Sequence, residues 1–491
     1  MKNTIVSLSD ISKLSNNPSL SEAYVRYVSG LGNTLSYRHQ EIMDIKALLD
    51  VLSMEQCDED GFIYSYTVPQ LNKEFDLLKI SADTCVNIEL KSSTVSQEKM
   101  TKQLIQNQHY LRLLNKSNLY LFTFISSTGN FYYLNNAKLE QVSIEFVRHC
   151  LVGMEYKILD LDNVFSPKNI LVSPLNDTDR FLTSDYLLTE NQADIKQEIL
   201  SHIASTTEPM FYAITGGAGT GKTLLLYDIS RTLANTKRVL LVHCGILCQG
   251  HLKLNRQLNN FRIVSAKNFG QEDVFDADII VMDEAHRAYV SLVEKAKTLM
   301  QSAKGACIFS YDAKQKLSRA ENNRKTVEII EQLCTTHKYT LTNKIRTNKE
   351  LARFISCLRN LSNLEDGDNF PNVKIIFEPN HDKAFSLALS MENAGYTFIS
   401  YTPSSIYLSP LDSQKSEFNT HNVIGQEFNK VCMILNKYFY YDGNILKAKE
   451  HPNPDYLLDK LLYQGLTRVR NKIALIITEE RLLEKIITLF K

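Results

Sequence analysis

The chain of 491 residues is too long for one hydrophobic core, and at roughly 100–200 residues per domain three domains are expected. An apolar fraction of 44% and a formal charge of zero describe a soluble globular protein whose nucleic-acid surface, where there is one, is a local patch. Nine cysteines without a C-x-x-C pair fit reduced thiols, and the lack of a leader pattern or of an apolar run near ~18 residues predicts a cytoplasmic protein with no membrane partner.

Residues 1–35 are rich in Ser and Asn and carry little periodicity. The first helical stripe runs from Tyr37 to Leu52, with Ile42, Ile45, Leu48, Leu49 and Leu52 on one face and Glu41 beside it. By charge statistics alone Glu41 is a solvated helix carboxylate. Strand patterns follow over Phe62–Val68, Glu74–Ile80 and Thr84–Lys91, the last two flanking a turn at Ser81-Ala82-Asp83. If that turn closes a hairpin, Asp76 and Glu89 face each other and Lys91 shares the face of Glu89. Two facing carboxylates repel, and a divalent cation between them is the economical explanation.

An acid on one strand followed by E-x-K on the next resembles the PD-(D/E)xK nucleases, over residues of about 36 to 135. The resemblance implies a restriction-endonuclease-like α/β domain in which Asp76, Glu89 and the main-chain carbonyl of Leu90 bind Mg²⁺ and Lys91 orients the attacking water. It also gives Glu41 the place of the acid on the first helix. Within a helix expected over Gln97–Leu114, it assigns supporting roles to Gln103 and to the Q-x-x-x-Y pair Gln106 and Tyr110.

From Met154 to Ser184 the composition shifts to Asp, Asn, Ser and Pro, which reads as a boundary. A helix then opens with Thr189 and Gln192 spaced as a capping box. The run Phe211 to Ile229 contains Gly216-Gly217-Ala218-Gly219-Thr220-Gly221-Lys222-Thr223, which satisfies G-x-x-x-x-G-K-[ST] between a strand and a helix. Glycines there let backbone N–H groups surround a phosphate, Lys222 adds charge and Thr223 offers a hydroxyl to Mg²⁺. Arg238–His243 reads as a second core strand, and Asp278–Met282 as a third that delivers Asp283 and Glu284 to its C-terminal edge. In that position Asp283 holds Mg²⁺ and Glu284 polarises the attacking water.

Further on come Asp312-Ala313-Lys314-Gln315, Asn343-Lys344-Ile345-Arg346, Gly425-Gln426-Glu427-Phe428 and Leu466-Thr467-Arg468-Val469-Arg470. Taken in order, from about Leu188 to Thr478, these resemble a superfamily 1 helicase with two RecA-like lobes. The resemblance places ATP between the lobes, with Gln315 and Glu427 among the nucleotide-site residues and Arg346 and Arg468 acting on the γ-phosphate. It gives Gln192 a contact with adenine as an alternative to capping. With no Trp in the chain, Phe309, Tyr311 or other aromatics are left to stack on bases. The short stretch between 243 and 278 has no room for a large insertion, which favours translocation over processive unwinding.

The expected architecture is α/β throughout: a nuclease-like domain over 1–150, a linker over 151–183, lobe 1 over 184–335 and lobe 2 over 336–491. The expected activity is an ATP- and Mg²⁺-dependent nuclease-helicase on nucleic acid, DNA before RNA, with bacterial antiviral defence or DNA repair suggested only by analogy with similar fusions. Two alternatives stay open: an inactive nucleic-acid clamp joined to the motor, and a nucleotide-controlled switch that recruits a partner protein. Self-association is also open.

Overall fold

β-Strand pairing organises both halves of the chain, which a computed structural model describes for residues 5–490 apart from 30–37, 56–57, 69–72, 167–171, 272–275, 314, 316, 318–320, 322, 343–348, 404–415 and 450–455. Two compact units result, Met1–Ile170 and Leu171–Lys491.

The first unit holds one seven-stranded sheet in sequential order: β1 (Ile5–Val6), β2 (Phe62–Val68), β3 (Lys73–Ile80), β4 (Thr84–Lys91), β5 (Asn118–Ile125), β6 (Asn130–Asn135) and β7 (Lys138–Val142). Neighbours are antiparallel except β4 and β5, whose parallel pairing requires a crossover. The Gln97–Leu111 helix supplies it, opened by Ser96, whose side chain accepts the Lys99 N–H. The His39–Leu52 helix buries Ile42, Ile45, Leu48 and Leu52 in a core shared with Leu77, Val86, Ile88 and Phe122 of the sheet. Residues 5–29 hold more regular structure than their composition suggests. Helices cover Leu8–Lys13 and Pro18–Ser29, and Leu8 and Ile11 enter the same core. So short a helix presents only two apolar positions, too few to register as a period.

The second unit contains two parallel sheets. The first runs β10 (Phe261–Ser265), β9 (Val239–His243), β11 (Ile279–Asp283), β12 (Ala306–Tyr311), β8 (Met210–Gly216), β13 (Lys338–Leu341). The second runs β14 (Val373–Phe377), β20 (Val469–Ile477), β17 (Phe428–Leu435), β15 (Thr397–Ser400), β16 (Phe418–Asn419). A two-stranded antiparallel ribbon, β18 (Phe439–Asp442) and β19 (Ile445–Ala448), accompanies the second sheet. Central strands are buried from end to end, as β9 and β11 show, because helices cover both faces. The last helix, Glu480–Ile487, packs Leu482 and Ile486 on the second core.

The stretch 151–183, expected as a linker, is folded where described. Leu161–Val164 is helical, and Phe165 is buried against Tyr66 and Phe75, with ring centroids 5.9 and 6.1 Å away. In the second unit Val172, Leu175 and Phe181 are buried, and Thr178–Leu182 forms a short helix. Replacing Phe165 by Ala is expected to cost about 3–5 kcal/mol. The check is an earlier urea transition, followed by limited proteolysis of bonds within residues 1–170 of the full chain.

Candidate functional site

In the second unit, β8, β12 and β11 lie side by side and end at one edge, so their C-terminal residues converge. Gly219 and Gly221, at φ 75° and 88°, give the loop after β8 its left-handed turns. A Cβ on Gly216 would stand 2.6 Å from the Leu341 carbonyl of β13, so that position admits no side chain. The Lys222–Leu233 helix starts at the loop and points its N–H groups back toward it. Lys222 Nζ donates to the carbonyls of Gly216 (2.8 Å) and Gly217 (2.9 Å) and lies 4.0 Å from Asp312. Burial lowers its pKa, opposed chiefly by Asp312 and Glu284.

Gln192 has no exposed surface. Its Oε1 accepts the Thr189 N–H (3.0 Å), and its Nε2 donates to the carbonyls of Thr220 (3.3 Å) and Gly221 (3.5 Å). The residue therefore caps its helix and braces the phosphate loop at once.

Asp283 closes β11, with Oδ2 3.3 Å from His243 Nδ1 and Oδ1 accepting the Glu284 N–H at 3.1 Å. Glu284 is left-handed at φ 56°, a strained conformation for a residue with a side chain. Burial opposes its ionisation, but interactions with His286, Lys222, Arg287 and Arg468 outweigh this and hold its pKa below the usual value. His286 accepts the Asp312 N–H at Nδ1 (3.2 Å), which leaves Nε2 to donate to the Gln315 carbonyl (3.0 Å). Sequence reasoning gave neither His243 nor His286 a role, although both stand at strand ends beside the acids.

From the second sheet, Glu427 and Arg468 immediately precede β17 and β20. They close, with Ala218, Lys222, Thr223, Glu284 and Gln315, around a cavity of about 30 Å³. Two donors in its lining, Gln315 Nε2 and Arg468 Nε, are buried without a hydrogen-bond partner among the described residues. Such donors, Lys222 and a helix N-terminus suit the oxygens of a polyphosphate, and Thr223 and Asp283 supply the hard oxygen ligands that Mg²⁺ prefers. Glu427 is held by Arg470, whose Nε donates at 3.0 Å while its Nη1 reaches Asp177 at 3.2 Å. Arg346 lies outside the described residues. Phe309 and Tyr311 do not face a strand of nucleic acid: they are 0% and 1% exposed, and the Tyr311 hydroxyl donates to Glu331 at 2.8 Å. An apolar run in a parallel sheet covered on both faces buries the very rings that stacking would need.

In the first unit, the β3–β4 register pairs Leu77 with Ile88, which sets Asp76 opposite Glu89. The ladder is broken on both sides of Asp76. On the β2 side, pairing skips Ser65, which is left-handed at φ 50° and donates to Glu74. On the β4 side, Asp76 Oδ2 itself accepts the Leu90 N–H at 2.8 Å. Glu89 is 1% exposed, with Oε2 gripped by Gln103 and Oε1 by Asn107 (2.7 Å) and Asn87 (3.2 Å). Burial, then the neighbouring Asp76 charge, pushes the Glu89 carboxyl up to about 7, and burial raises Asp76 as well. Lys91 opposes both shifts.

Glu41 is no freely solvated carboxylate. It accepts from the Tyr64 hydroxyl (3.0 Å) and pairs with Arg38 (2.9 Å), and burial first, then the Asp76 charge, raises its pKa against the Tyr64 bond. On the Gln97–Leu111 helix Tyr110 is buried, while Gln106 makes no hydrogen bond to Asp76 or Glu89 among the described residues. Asn107, one helical turn beyond Gln103, takes that part instead, and its i+4 spacing was the available signal. A buried Glu89 facing a half-buried Asp76 sets two carboxylates together, an arrangement that suits a hard divalent cation.

Parallel sheets meeting at a glycine-rich phosphate loop and an Asp-Glu strand end define a P-loop nucleotide-binding unit. A family model described as "Schlafen group 3, DNA/RNA helicase domain" matches residues 209–390, from the start of β8 into the second sheet. No curated protein matches. Among solved structures, the chain is similar to one of two coordinating Pif1 helicases in DNA unwinding at forked duplex DNA, at 13% identity and a TM-score of 0.32 over 61% of this chain and 96% of that one. It is also similar to the DUF1998 helicase MrfA bound to DNA, at 11% identity and a TM-score of 0.33 over 63% of this chain and 49% of that one. No described helix is long and apolar enough to cross a membrane.

The Glu89 carboxyl gives a signed pH dependence. The folded chain binds its proton more tightly than an unfolded chain, where the value is 4.5, so its contribution to stability is present at low pH and lost as pH rises through about 7. With EDTA present, urea midpoints of the wild type are expected to fall relative to those of Glu89→Gln between about pH 5 and about pH 8. Added Mg²⁺ is expected to restore the wild type more than the variant.

Proposed function

We propose that the chain is an ATP-dependent nuclease-helicase, whose second unit hydrolyses ATP to move on nucleic acid, DNA before RNA, and whose first unit cuts phosphodiester bonds with Mg²⁺. The observation that carries the motor reading is the common cavity. Lys222, Thr223, Glu284 and Gln315 from one lobe and Thr467 and Arg468 from the other line it together. Groups from two lobes around one phosphate site make closure depend on nucleotide, and closure and release are what displace one lobe against the other. About 30 Å³ accommodates little more than a water, so admission of a triphosphate requires the lobes to part.

In this reading Lys222 and Arg468 neutralise phosphate charge, Glu284 takes up the proton of the attacking water, and Thr223 and Asp283 hold Mg²⁺, which supplies further charge neutralisation. Arg346 is proposed as a second arginine on the γ-phosphate. Glu427, clamped by Arg470, positions the second lobe's edge of the site. For the first unit, Asp76, Glu89 and the Leu90 carbonyl hold Mg²⁺ and Lys91 orients the water, with Glu41 and Gln103 as supports. The grip of Gln103 and Asn107 on both Glu89 oxygens favours one second reading, an inactive clamp that binds nucleic acid without cutting it.

The test is ATP hydrolysis and strand cleavage on single-stranded DNA, duplex DNA and RNA. Lys222→Ala is expected to abolish nucleic-acid-stimulated hydrolysis with the fold retained. Arg468→Ala is expected to lower kcat by about 10³–10⁵. Lys91→Ala is expected to abolish cleavage and spare the ATPase. If wild type with Mg²⁺ cuts none of the three, the nuclease half fails and the clamp stands.

A further inference from the structure

Away from both sites, the Glu190–Ser205 helix carries Glu198 and His202 one turn apart on the same face. His337, just ahead of β13, comes up against them, its ring centroid 5.1 Å from that of His202. Among the described residues this is the one group of three His, Cys, Asp or Glu side chains whose ligand atoms all lie within 4.8 Å of one another. We propose that Glu198, His202 and His337 form a binding site for a divalent transition metal, zinc by its donor set.

Three further observations point to a ligand rather than to chance proximity. His202 Nδ1 is buried with no hydrogen-bond partner among the described residues. The Tyr212 hydroxyl beneath is likewise buried without one, its ring 5.2 Å from that of His337. The Tyr339 hydroxyl donates to Glu198 Oε1 at 2.8 Å, an outer bond that aims the carboxylate and leaves Oε2 for an ion.

The backbone of the site is fixed as well. The His337 carbonyl accepts the Ala213 N–H of β8 at 2.9 Å, and its N–H donates to Cys334 at 3.2 Å. Two imidazoles and one carboxylate are the three-ligand set of zinc sites that keep a fourth position open, here toward solvent because Glu198 is exposed. Tetrahedral zinc needs ligand atoms about 3.3 Å apart, which rotation of the exposed Glu198 and half-buried histidines supplies without moving the helix. Softer imidazole ligands distinguish the site from the all-oxygen Mg²⁺ positions at Asp283 and Asp76.

A metal there ties the Glu190–Ser205 helix, whose Gln192 braces the phosphate loop, to the strand that ends against Gly216. The ion acts as a staple of the first lobe. It stands apart from both proposed reactions, so failure of either leaves it untouched.

The experiment uses the full chain stripped with EDTA, dialysed, and titrated with Zn²⁺ against a chromogenic chelator in excess Mg²⁺, which occupies the oxygen sites. One equivalent of zinc is expected for wild type, with a rise in Tm. That equivalent, and the visible absorption of tetrahedral Co²⁺ in its place, are expected to be lost in His202→Ala and in His337→Ala. Tyr339→Phe is expected to weaken it by about tenfold. Should the histidine variants fail to fold, Glu198→Gln at an exposed position must show the loss. Equal zinc uptake by wild type and the folded ligand variants, or none by wild type, overturns the proposal.

Discussion

The second unit depends on a buried ammonium. Lys222 is held in a desolvated position that works against its charge, and carboxylates at the ends of adjacent strands, Asp312, Glu284 and Asp283, oppose that loss. The dependence is mutual, since Lys222 and Arg468 help to keep Glu284 ionised in surroundings that would otherwise protonate it. Buried charges of this kind are costly singly and tolerable only as a set. The parallel sheet is what makes the set possible, because it brings the ends of β8, β12 and β11 to one edge with their side chains converging.

The same economy extends to the second lobe through Arg470, which spans Glu427 and Asp177, and through Asn176, which accepts the Glu427 N–H at 2.8 Å and donates to Gln426 at 3.3 Å. Asn176 and Asp177 belong to a segment that also packs on the first lobe. Gly250 of the Gln249–Gln257 helix leaves no room beside the Leu175 carbonyl, which a Cβ would approach to 2.1 Å, and Lys253 pairs with Asp179 at 2.6 Å. A stretch with the composition of a tether is thus a strap touching both sides of the cavity lined by Lys222 and Arg468.

What could be read in advance follows from how each signal arises. Asp76 facing Glu89 was legible because strand alternation has a strict period of two and the turn between them is short. The phosphate loop was legible because glycine spacing there answers to one geometry. Ser65 was not: a left-handed residue with a side chain leaves no mark in a strand pattern, yet it breaks the ladder beside Asp76. Phe309 and Tyr311 were misplaced because an apolar run does not say that both of its faces are covered. Gln192 carried two readings, capping and an adenine contact; the capping bonds with Thr189 are present, and its amide also reaches the carbonyls of Thr220 and Gly221, which spacing alone does not reveal. The strap was hidden because its anchors, Asn176 and Asp177, bond residues some 250 to 290 positions away.

β13 pairs in parallel with β8 along its outer side. A sheet edge offers unpaired N–H and C=O groups to any passing chain, and an apolar edge strand is an invitation to aggregate. Without β13, the edge would be β8 itself, the strand that delivers the phosphate loop. β13 is short, and its Lys338 and Thr340 are exposed, with Lys338 paired to Glu331 at 2.6 Å. The chain thereby has a brief, charged strand as a selvedge, and β8 with the glycine-rich loop that follows it is kept out of reach of other sheets.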